Sequence, residues 1–269
     1  TLRMWYSTRA SRRPASIALA VDATGTGDHF VPLPGDPDLQ PTPRESLPYD
    51  AITRPAVLRA GDGWRMWYSV VGDNTAWIGT ASSPDGRRWT KHGSPVLRAE
   101  LPWELEGVCC PNVQYDPASG RYLMWYSAGH IYEPNAVGFA TSPDGLTWTR
   151  HGGDPIYTAT TGWEDGQIGS FQVTRVGDWY YAFYNAFQRQ PFISRIGMAR
   201  SRDGVTGWQR HPDNPILAPG APGTWDGAMI YKPAALWDAT RNRWDVWFNA
   251  SARLNEHERI GHMWRDGVW

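Results

Sequence analysis

The segment RYLMWYSAGH, residues 121–130, places a methionine and three aromatic residues within its first six positions. Four related segments occur elsewhere in the chain: LRMWYSTRA at 2–10, WRMWYSVVG at 64–72, YYAFYNAFQ at 180–188 and WDVWFNASA at 244–252. A cluster that recurs in this way is explained first by a repeated structural unit. The segment is therefore interpreted as packing, and only its variable end, His130, as a candidate functional residue.

A second element follows each aromatic segment and ends in a tight turn. It is clearest in WIGTASSPDGRRW at 77–89, AVGFATSPDGLTW at 136–148 and RIGMARSRDGVTGW at 195–208. The Asp-Gly pair suits a tight turn, and the short alternating stretches on either side are typical of strands. Each repeat therefore predicts about four β-strands.

The length and number of the repeats predict the architecture. Five copies of roughly 60 residues, each with about four strands, are typical of a β-propeller. We predict an all-β fold without a long helix: a single domain over 1–269 that forms a five-bladed β-propeller with about four antiparallel strands per blade. Because the first copy begins directly at its aromatic strand, we expect the innermost strand of that blade to be missing or supplied by the other terminus.

The charge balance argues against two classes of partner. The chain has 26 basic and 27 acidic residues and a formal net charge of −1, so it offers no electrostatic attraction to nucleic acid or to an anionic membrane. No apolar run approaches the ~20 residues that span a bilayer. We expect a soluble protein with no nucleic-acid partner, no membrane partner and no cofactor, and the sequence leaves its compartment open.

Three segments resemble a known group of enzymes. They are WELEGVCCPNVQYDPASGRYLMWYS at 103–127, GFATSPDGLTW at 138–148 and GTWDGAMIYKPAALWD at 223–238. With them the chain resembles, over essentially its whole length, the five-bladed propeller glycosidases, a superfamily that includes glycoside hydrolase families 43, 32, 62, 117 and 130. The resemblance implies a funnel that binds a sugar and inner-strand carboxylates that cleave or transfer a glycosidic bond.

The chain departs from this family at the positions of the catalytic acids. In families 43 and 32 these acids typically lie one or two positions before a proline of the inner strand. None of the corresponding residues here is acidic, so the family mechanism is not carried over residue by residue. The corresponding pairs are Thr53 and Arg54, Cys109 and Cys110, Gly169 and Ser170, and Tyr231 and Lys232.

Residues that recur in several repeats are explained by the blade itself. They comprise a strand tryptophan, which we expect to pack between neighbouring sheets, a turn aspartate, and an acid that follows a second tryptophan. In this order they are Trp67, Trp125 and Trp247; Asp85, Asp144 and Asp203; and Glu104, Glu164 and Asp226. The adjacent Cys109 and Cys110 are expected to be small buried residues rather than a disulfide or a nucleophile.

Residues that break the repeat are the candidates for catalysis. Five positions before the inner-strand proline, or the residue equivalent to it, two repeats have the carboxylates Asp50 and Glu106 where the others have small residues. Glycoside chemistry requires a proton donor and a second carboxylate, so we predict Asp50 and Glu106 as catalytic residues, with Asp165 as the reserve candidate. The alternative is an acid that pairs with Arg54 or with a backbone amide.

Inner strands and loops that open on the same face supply the candidates for substrate binding. A cation beside carboxylates can hold sugar hydroxyls or a substrate carboxylate, or can serve only as a salt-bridge partner. Two histidines in different loops are weak support for a metal, and we predict no metal site. The predicted substrate-binding residues are Arg54, His130, Gln167, Arg189, Tyr231, Lys232, His257 and Glu258.

These residues favour a glycoside hydrolase or transglycosidase that acts on a small saccharide or glycoside in the central funnel. Fold alone does not determine function, and an alternative remains: a propeller of the same lineage without hydrolytic activity. Such a protein would bind a sugar, or catalyse another step on a small molecule with Arg54, Tyr231 and Lys232. A platform for protein interactions is the least favoured interpretation.

Overall fold

The computed structural model describes residues 1–9, 14–35, 38–41, 51–131, 133–253 and 258–269. Their regular secondary structure is almost entirely antiparallel β-strands, and within the described residues the one helical element is a 3-10 turn at Pro102–Glu104. The all-β prediction is therefore confirmed for the described part of the chain, as is the lack of a long helix. The chain divides into two compact units, and the predicted single domain and blade number remain predictions.

Unit 1 comprises Thr1–Tyr132 and Phe139–Asp154. Its described residues form three groups of hairpin-connected strands, and a short parallel pairing of Ala76 with Gly107 joins the second and third groups in one sheet. The first group is β1 (Leu2–Thr8), β2 (Ser16–Asp22) and β3 (Val31–Pro32). The second is β4 (Ala51–Ala60), β5 (Gly63–Gly72), β6 (Thr75–Ser83) and β7 (Thr90–Lys91). The third is β8 (Gly107–Asp116), β9 (Arg121–His130), β10 (Glu133–Ser142, in this unit from Phe139 onward) and β11 (Thr149–Arg150).

Unit 2 comprises Glu133–Gly138 and Pro155–Trp269. After the short strand β12 (Tyr157–Thr158), which pairs with β10, its strands follow the same order of inner strand, aromatic strand and third strand. They are β13 (Ile168–Val176), β14 (Trp179–Gln188), β15 (Ile193–Ser201) and β16 (Gln209–Arg210), then β17 (Met229–Asp238), β18 (Arg243–Ser251) and β19 (Arg259–Asp266). The aromatic segments of the sequence are thus β1, β5, β9, β14 and β18.

Each long inner strand contains a bulge immediately before its proline or the equivalent residue. The pairing register shifts there in β4, β8, β13 and β17. The residue at each shift has a left-handed backbone, with φ of 57° at Arg54, 53° at Cys110, 51° at Ser170 and 51° at Lys232. This conformation costs a residue with a side chain about 1–3 kcal/mol, so neighbouring groups must hold it.

A polar side chain at the end of an aromatic strand accepts the backbone N–H of the bulge residue in the next inner strand. Serine ends the motif in unit 1, and asparagine replaces it in unit 2. A buried N–H without a partner would cost about 1–3 kcal/mol, so this bond stabilises the bulge. The bonds are Arg54 N–H to Ser7 Oγ (3.0 Å), Cys110 N–H to Ser69 Oγ (2.8 Å) and Lys232 N–H to Asn185 Oδ1 (3.1 Å).

The aromatic strand also contacts the Asp-Gly turn of the next group. In unit 1 the Trp5 Nε1–H donates to the Gly86 carbonyl (2.9 Å), and the buried Trp67 donates in the same way to Gly145 (2.8 Å). The predicted packing of Trp67 between neighbouring sheets is therefore confirmed. The guanidinium of Arg65 adds a bond to the Asp144 carbonyl.

The turn aspartates hold the backbone of their own turns, as predicted. Asp144 Oδ1 accepts the backbone N–H groups of Thr147 and Leu146, and Asp85 holds Arg88 and Arg87 in the same way. Hydrogen bonds to the ionised form lower the pKa of both carboxyl groups to about 2. Asp203 repeats the arrangement in unit 2, so the three acids belong to the turns.

Replacing Gly145 with alanine tests this contact between strand and turn. A Cβ at Gly145 would lie 2.7 Å from Trp67 Cζ2 and 2.8 Å from Arg65 Nη1, whereas one at Gly120 meets nothing within 4 Å. Both glycines have a positive φ, 73° and 67°. We expect Gly120→Ala to cost about 1 kcal/mol of backbone strain and Gly145→Ala about 1–3 kcal/mol more through overpacking, measured by denaturant unfolding. Equal losses in the two variants would contradict the contact.

Candidate functional site

Glu106 lies directly before β8, beside the chain that leaves β9. Its Oε2 accepts the backbone N–H of Ile131 at 2.9 Å, and its Oε1 lies 3.0 Å from Nδ1 of His130. The two side chains are about half exposed, at 46% for Glu106 and 52% for His130. The structure therefore brings together one predicted catalytic residue and one predicted binding residue, at a position open to a ligand.

Electrostatic interactions determine which atoms of this pair carry a proton. The Ile131 amide, and then the hydrogen bond and charge of His130, lower the pKa of Glu106, although partial burial opposes them. Because an ionised carboxylate can only accept, Nδ1 of His130 carries the proton between them. The remaining ring nitrogen, Nε2, then either bears a lone pair or, in the charged ring, a proton.

Asp165 holds the corresponding loop in unit 2. It is exposed, and its Oδ2 accepts the backbone N–H of Arg189 at 2.9 Å. Ile131 follows the end of β9 directly and Arg189 follows the end of β14, so the two acids anchor the same loop position in different repeats. The alternative of an acid that pairs with a backbone amide applies to both, and Glu106 adds a histidine contact.

Glu104 and Glu164, the acids that follow a tryptophan, are fully buried. Glu104 accepts Arg150 Nε and the Tyr126 hydroxyl, both at 2.8 Å, together with the backbone N–H groups of Glu100 and Leu101. Burial raises the pKa of Glu104, but these donors outweigh it and leave the pKa below its ordinary value. Glu104 is thus an ionised structural group.

The same network recurs in unit 2. Glu164 accepts Arg210 Nε at 3.0 Å, the Tyr184 hydroxyl at 2.8 Å and the Thr160 backbone N–H at 2.6 Å. Its pKa is likewise below the ordinary value, because these donors outweigh the effect of burial. A network that recurs with an arginine, a tyrosine hydroxyl and a backbone N–H four residues before the acid is explained by the blade.

Two predicted binding residues lie in the bulge of β17. Tyr231 is buried, and the Lys232 Nζ lies 4.8 Å from the centre of its ring. Gln167 is buried in the same unit. Its backbone N–H donates to the Glu164 backbone carbonyl, and its backbone carbonyl accepts the Phe187 N–H. The backbone roles of these residues are therefore established, and their contact with a substrate stays a prediction.

The other predicted residues are more scattered. Arg54 lies in the β4 bulge of unit 1, and the exposed Glu258 accepts Asn249 Nδ2 at 2.7 Å in unit 2. Asp50 and His257 lie outside the described residues. Within the described ranges, no three His, Cys, Asp or Glu side chains are grouped as ligands for a metal ion.

Sequence reasoning missed the groups that act through the backbone. Ile131 is apolar and gave no signal, yet its N–H fixes Glu106. Ser69 was part of a recurring motif, but its bond to Cys110 depends on a register that the pattern does not contain. The serine that ends each MWYS motif was the available signal for the second of these contacts.

Comparison with known sequences gives distant relatives. No protein-family model matches the chain. It is 28% identical over 250 residues to an uncharacterized protein of Mycobacterium tuberculosis, covering 87% of this chain and 79% of that protein. It is 26% identical over 220 residues to an A type blood N-acetyl-α-D-galactosamine deacetylase of Flavonifractor plautii, covering 74% of this chain and 28% of that protein.

Solved structures share the fold over nearly the whole chain. A glycoside hydrolase matches with a TM-score of 0.75 at 17% identity, covering 98% of this chain and 88% of that one. The F. plautii N-acetylgalactosamine deacetylase, in complex with blood group B trisaccharide, matches with a TM-score of 0.73 at 18% identity. The match covers 98% of this chain and 84% of that one. A thermostable family-43 glycoside hydrolase matches with a TM-score of 0.70 at 16% identity, and the match covers 99% of this chain and 88% of that one.

These likenesses confirm the predicted resemblance in fold. The chain has the all-β propeller fold of the glycoside hydrolases. In the described part of the chain, no helix is long and apolar enough to cross a membrane.

The buried network around Glu104 can be separated from the exposed site by mutation. Glu104→Gln removes the charge opposite Arg150, whose side chain is only 13% exposed, and we expect it to cost about 3–5 kcal/mol in unfolding free energy. Glu100→Gln is the matched control, because Glu100 contacts the same arginine at 2.8 Å but its side chain is 70% exposed. It should cost less than about 1 kcal/mol. Similar losses would show that Glu104 is not a structural charge.

The pH dependence of stability follows from the lowered pKa values of Glu104 and Glu164. A depressed pKa in the folded state contributes stability that is present above the unfolded value, about 4.3, and is lost as the pH falls through the lower folded value. The wild type should therefore lose stability below about pH 4.3, and Glu104→Gln should lose less over that window. Parallel curves from pH 6 to the acid limit would contradict this assignment.

Proposed function

We propose that the protein is a hydrolase acting on a small saccharide or glycoside, with Glu106 and His130 as its proton-transfer pair. The observation that carries the proposal is the 3.0 Å contact between Glu106 Oε1 and His130 Nδ1, two groups that are about half exposed. A saccharide substrate is supported by the fold, which is shared with glycoside hydrolases and with a sugar deacetylase.

The geometry gives the histidine a defined role. When Nδ1–H donates to Glu106, the neutral imidazole has its lone pair on Nε2, which can take a proton from water or from a sugar hydroxyl. The carboxylate also stabilises the imidazolium that forms after proton transfer. The Ile131 amide keeps Glu106 in place during this exchange.

If the bond that breaks is glycosidic, Glu106 acts as the nucleophile or base. A glycosidase proton donor requires a raised pKa, whereas the pKa of Glu106 is lowered by Ile131 and His130. The donor would then be a different carboxyl group. Asp50, which lies outside the described residues, is the hypothesis for that role, and Asp165, which accepts the Arg189 amide within unit 2, stays only the reserve catalytic candidate.

Removal of an acyl group from a sugar is a second candidate reaction. A histidine oriented by a carboxylate is the base that acyl transfer uses, and the Glu106–His130 contact has this arrangement. The likeness to the F. plautii deacetylase, in sequence and in structure, favours the same candidate. The two candidates share a substrate class and differ in the bond that is cleaved.

The non-hydrolytic alternative is supported by the inner-strand bulges. Arg54 and Lys232 occupy two of them, where the resemblance led us to look for acids. Cations at these places suit the binding of a substrate anion or hydroxyl group. On this alternative the protein binds a saccharide, or changes a small molecule in another way, without hydrolysis.

Two substrate panels and two variants test the proposal. Nitrophenyl furanosides and pyranosides report glycosidic cleavage, and N- and O-acetylated saccharides report acetate release. Glu106→Gln keeps an oxygen for the Ile131 amide but removes the charge beside His130. We expect it to lower kcat/KM about 10²–10⁴-fold in either reaction, with an unchanged melting temperature. His130→Gln should match that loss for acetate release and cause a smaller loss for glycosidic cleavage.

The control is His151→Gln, at an exposed histidine of the repeat, which should retain the wild-type rate. Full turnover in Glu106→Gln would overturn the assigned role of the pair. A folded wild type that binds saccharides but turns over neither panel would favour the non-hydrolytic alternative.

A further inference from the structure

The bulge of β8 brings two cysteine sulfurs into contact. Neighbouring residues in a regular strand point to opposite faces of the sheet. At Cys109 and Cys110 the register shift and the left-handed backbone of Cys110, with φ of 53°, interrupt that alternation. The two Sγ atoms lie 3.5 Å apart, so the pair forms a vicinal dithiol.

The dithiol is held from two sides. The Cys110 N–H donates to Ser69 Oγ at 2.8 Å, which fixes the bulge. The sulfurs lie in a buried apolar cluster with Val71 and Ala76, and the partly buried Ile131 packs against this cluster. Ile131 is also the residue whose amide Glu106 accepts. The dithiol therefore packs against Ile131, the residue that follows His130 at the end of β9.

We propose that Cys109 and Cys110 are a modification site that closes reversibly into a vicinal disulfide by exchange with a low-molecular-weight disulfide, and that closure displaces the Ile131 loop. The proposal rests on the contact between the sulfurs and on the packing of Ile131, and it is independent of the proposed hydrolase activity.

The exchange balances in two steps. One cysteine thiolate attacks a sulfur of the small disulfide, so that a mixed disulfide forms and one small thiolate leaves. The neighbouring cysteine then attacks the protein sulfur of the mixed disulfide, and the second small thiolate leaves. The protein loses two protons and two electrons, and the small disulfide gains them as two thiols.

The geometry makes this site a reversible one. A disulfide bond is about 2.05 Å long, so closure must shorten the present 3.5 Å separation and move the backbone or the packed side chains. Strained disulfides have higher reduction potentials, and they are the labile and regulatory ones. Because both cysteines are at most 5% exposed, the exchange should be slow and specific to reagents that reach the bulge.

The test uses the folded full chain and 2-hydroxyethyl disulfide as the probe. After incubation at pH 8, the reaction is quenched with N-ethylmaleimide before denaturation, and the intact mass is measured. We expect a form that has lost two hydrogen atoms, takes up no maleimide, carries no adduct and returns to two alkylated thiols after reduction. A persistent mixed disulfide, or two thiols that still alkylate, would overturn the proposal.

Two serine variants test the role of the bulge. Ser69→Ala removes the acceptor of the Cys110 N–H and should slow closure, whereas Ser7→Ala makes the same change at the equivalent place in another repeat and should not. Equal rates in both variants would show that the bulge does not position the sulfurs. In the oxidised wild type, the amide signal of Ile131 in a nitrogen–proton NMR spectrum should shift. An unchanged Ile131 signal would refute the coupling to the loop.

Discussion

The left-handed bulge is the backbone constraint that the long inner strands β4, β8, β13 and β17 share. It forces residues with side chains into a backbone conformation that they normally avoid, and at Arg54, Cys110 and Lys232 the cost is offset by a hydrogen bond from the bulge N–H to the end of an aromatic strand. In unit 1 the acceptors are Ser7 and Ser69, and in unit 2 the acceptor is Asn185. The motif that defines the repeat thus also positions the residues that vary between repeats.

Three groups of acids in the chain have different physical roles. The turn aspartates, such as Asp144, are held ionised by backbone amides. The buried Glu104 and Glu164 each pair with an arginine and accept a hydrogen bond from a tyrosine hydroxyl. Glu106 and Asp165 remain exposed and anchor loops. A histidine contact at Glu106 therefore sets it apart by chemistry as well as by position.

Much of the fold could be predicted from the sequence because turn chemistry and strand alternation are local signals. The Asp-Gly turns and the aromatic strands recur with little change, and Trp67 packs as its repetition indicated. The likeness to glycoside hydrolase structures confirms the fold that these motifs suggested.

The site was harder to predict because it depends on register and on backbone atoms. Glu106 and His130 were separate candidates, and their 3.0 Å contact arises from how the chain enters β8 and leaves β9. The left-handed bulge was not foreseen, since Arg54, Cys110 and Lys232 are not residues that favour it. Their common conformation is visible only when the strands are paired.

The account rests on the claim that ligands meet the residues that break the repeat and not those that form it. The most direct measurement follows the ring signals of the seven histidines by NMR, assigned by single substitutions, during addition of N-acetyl-D-galactosamine and of methyl glycosides. The account predicts that the His130 signals move with sugar concentration while those of the repeat histidines His92 and His151 stay in place. Movement of His92 or His151 with an unchanged His130 would contradict it.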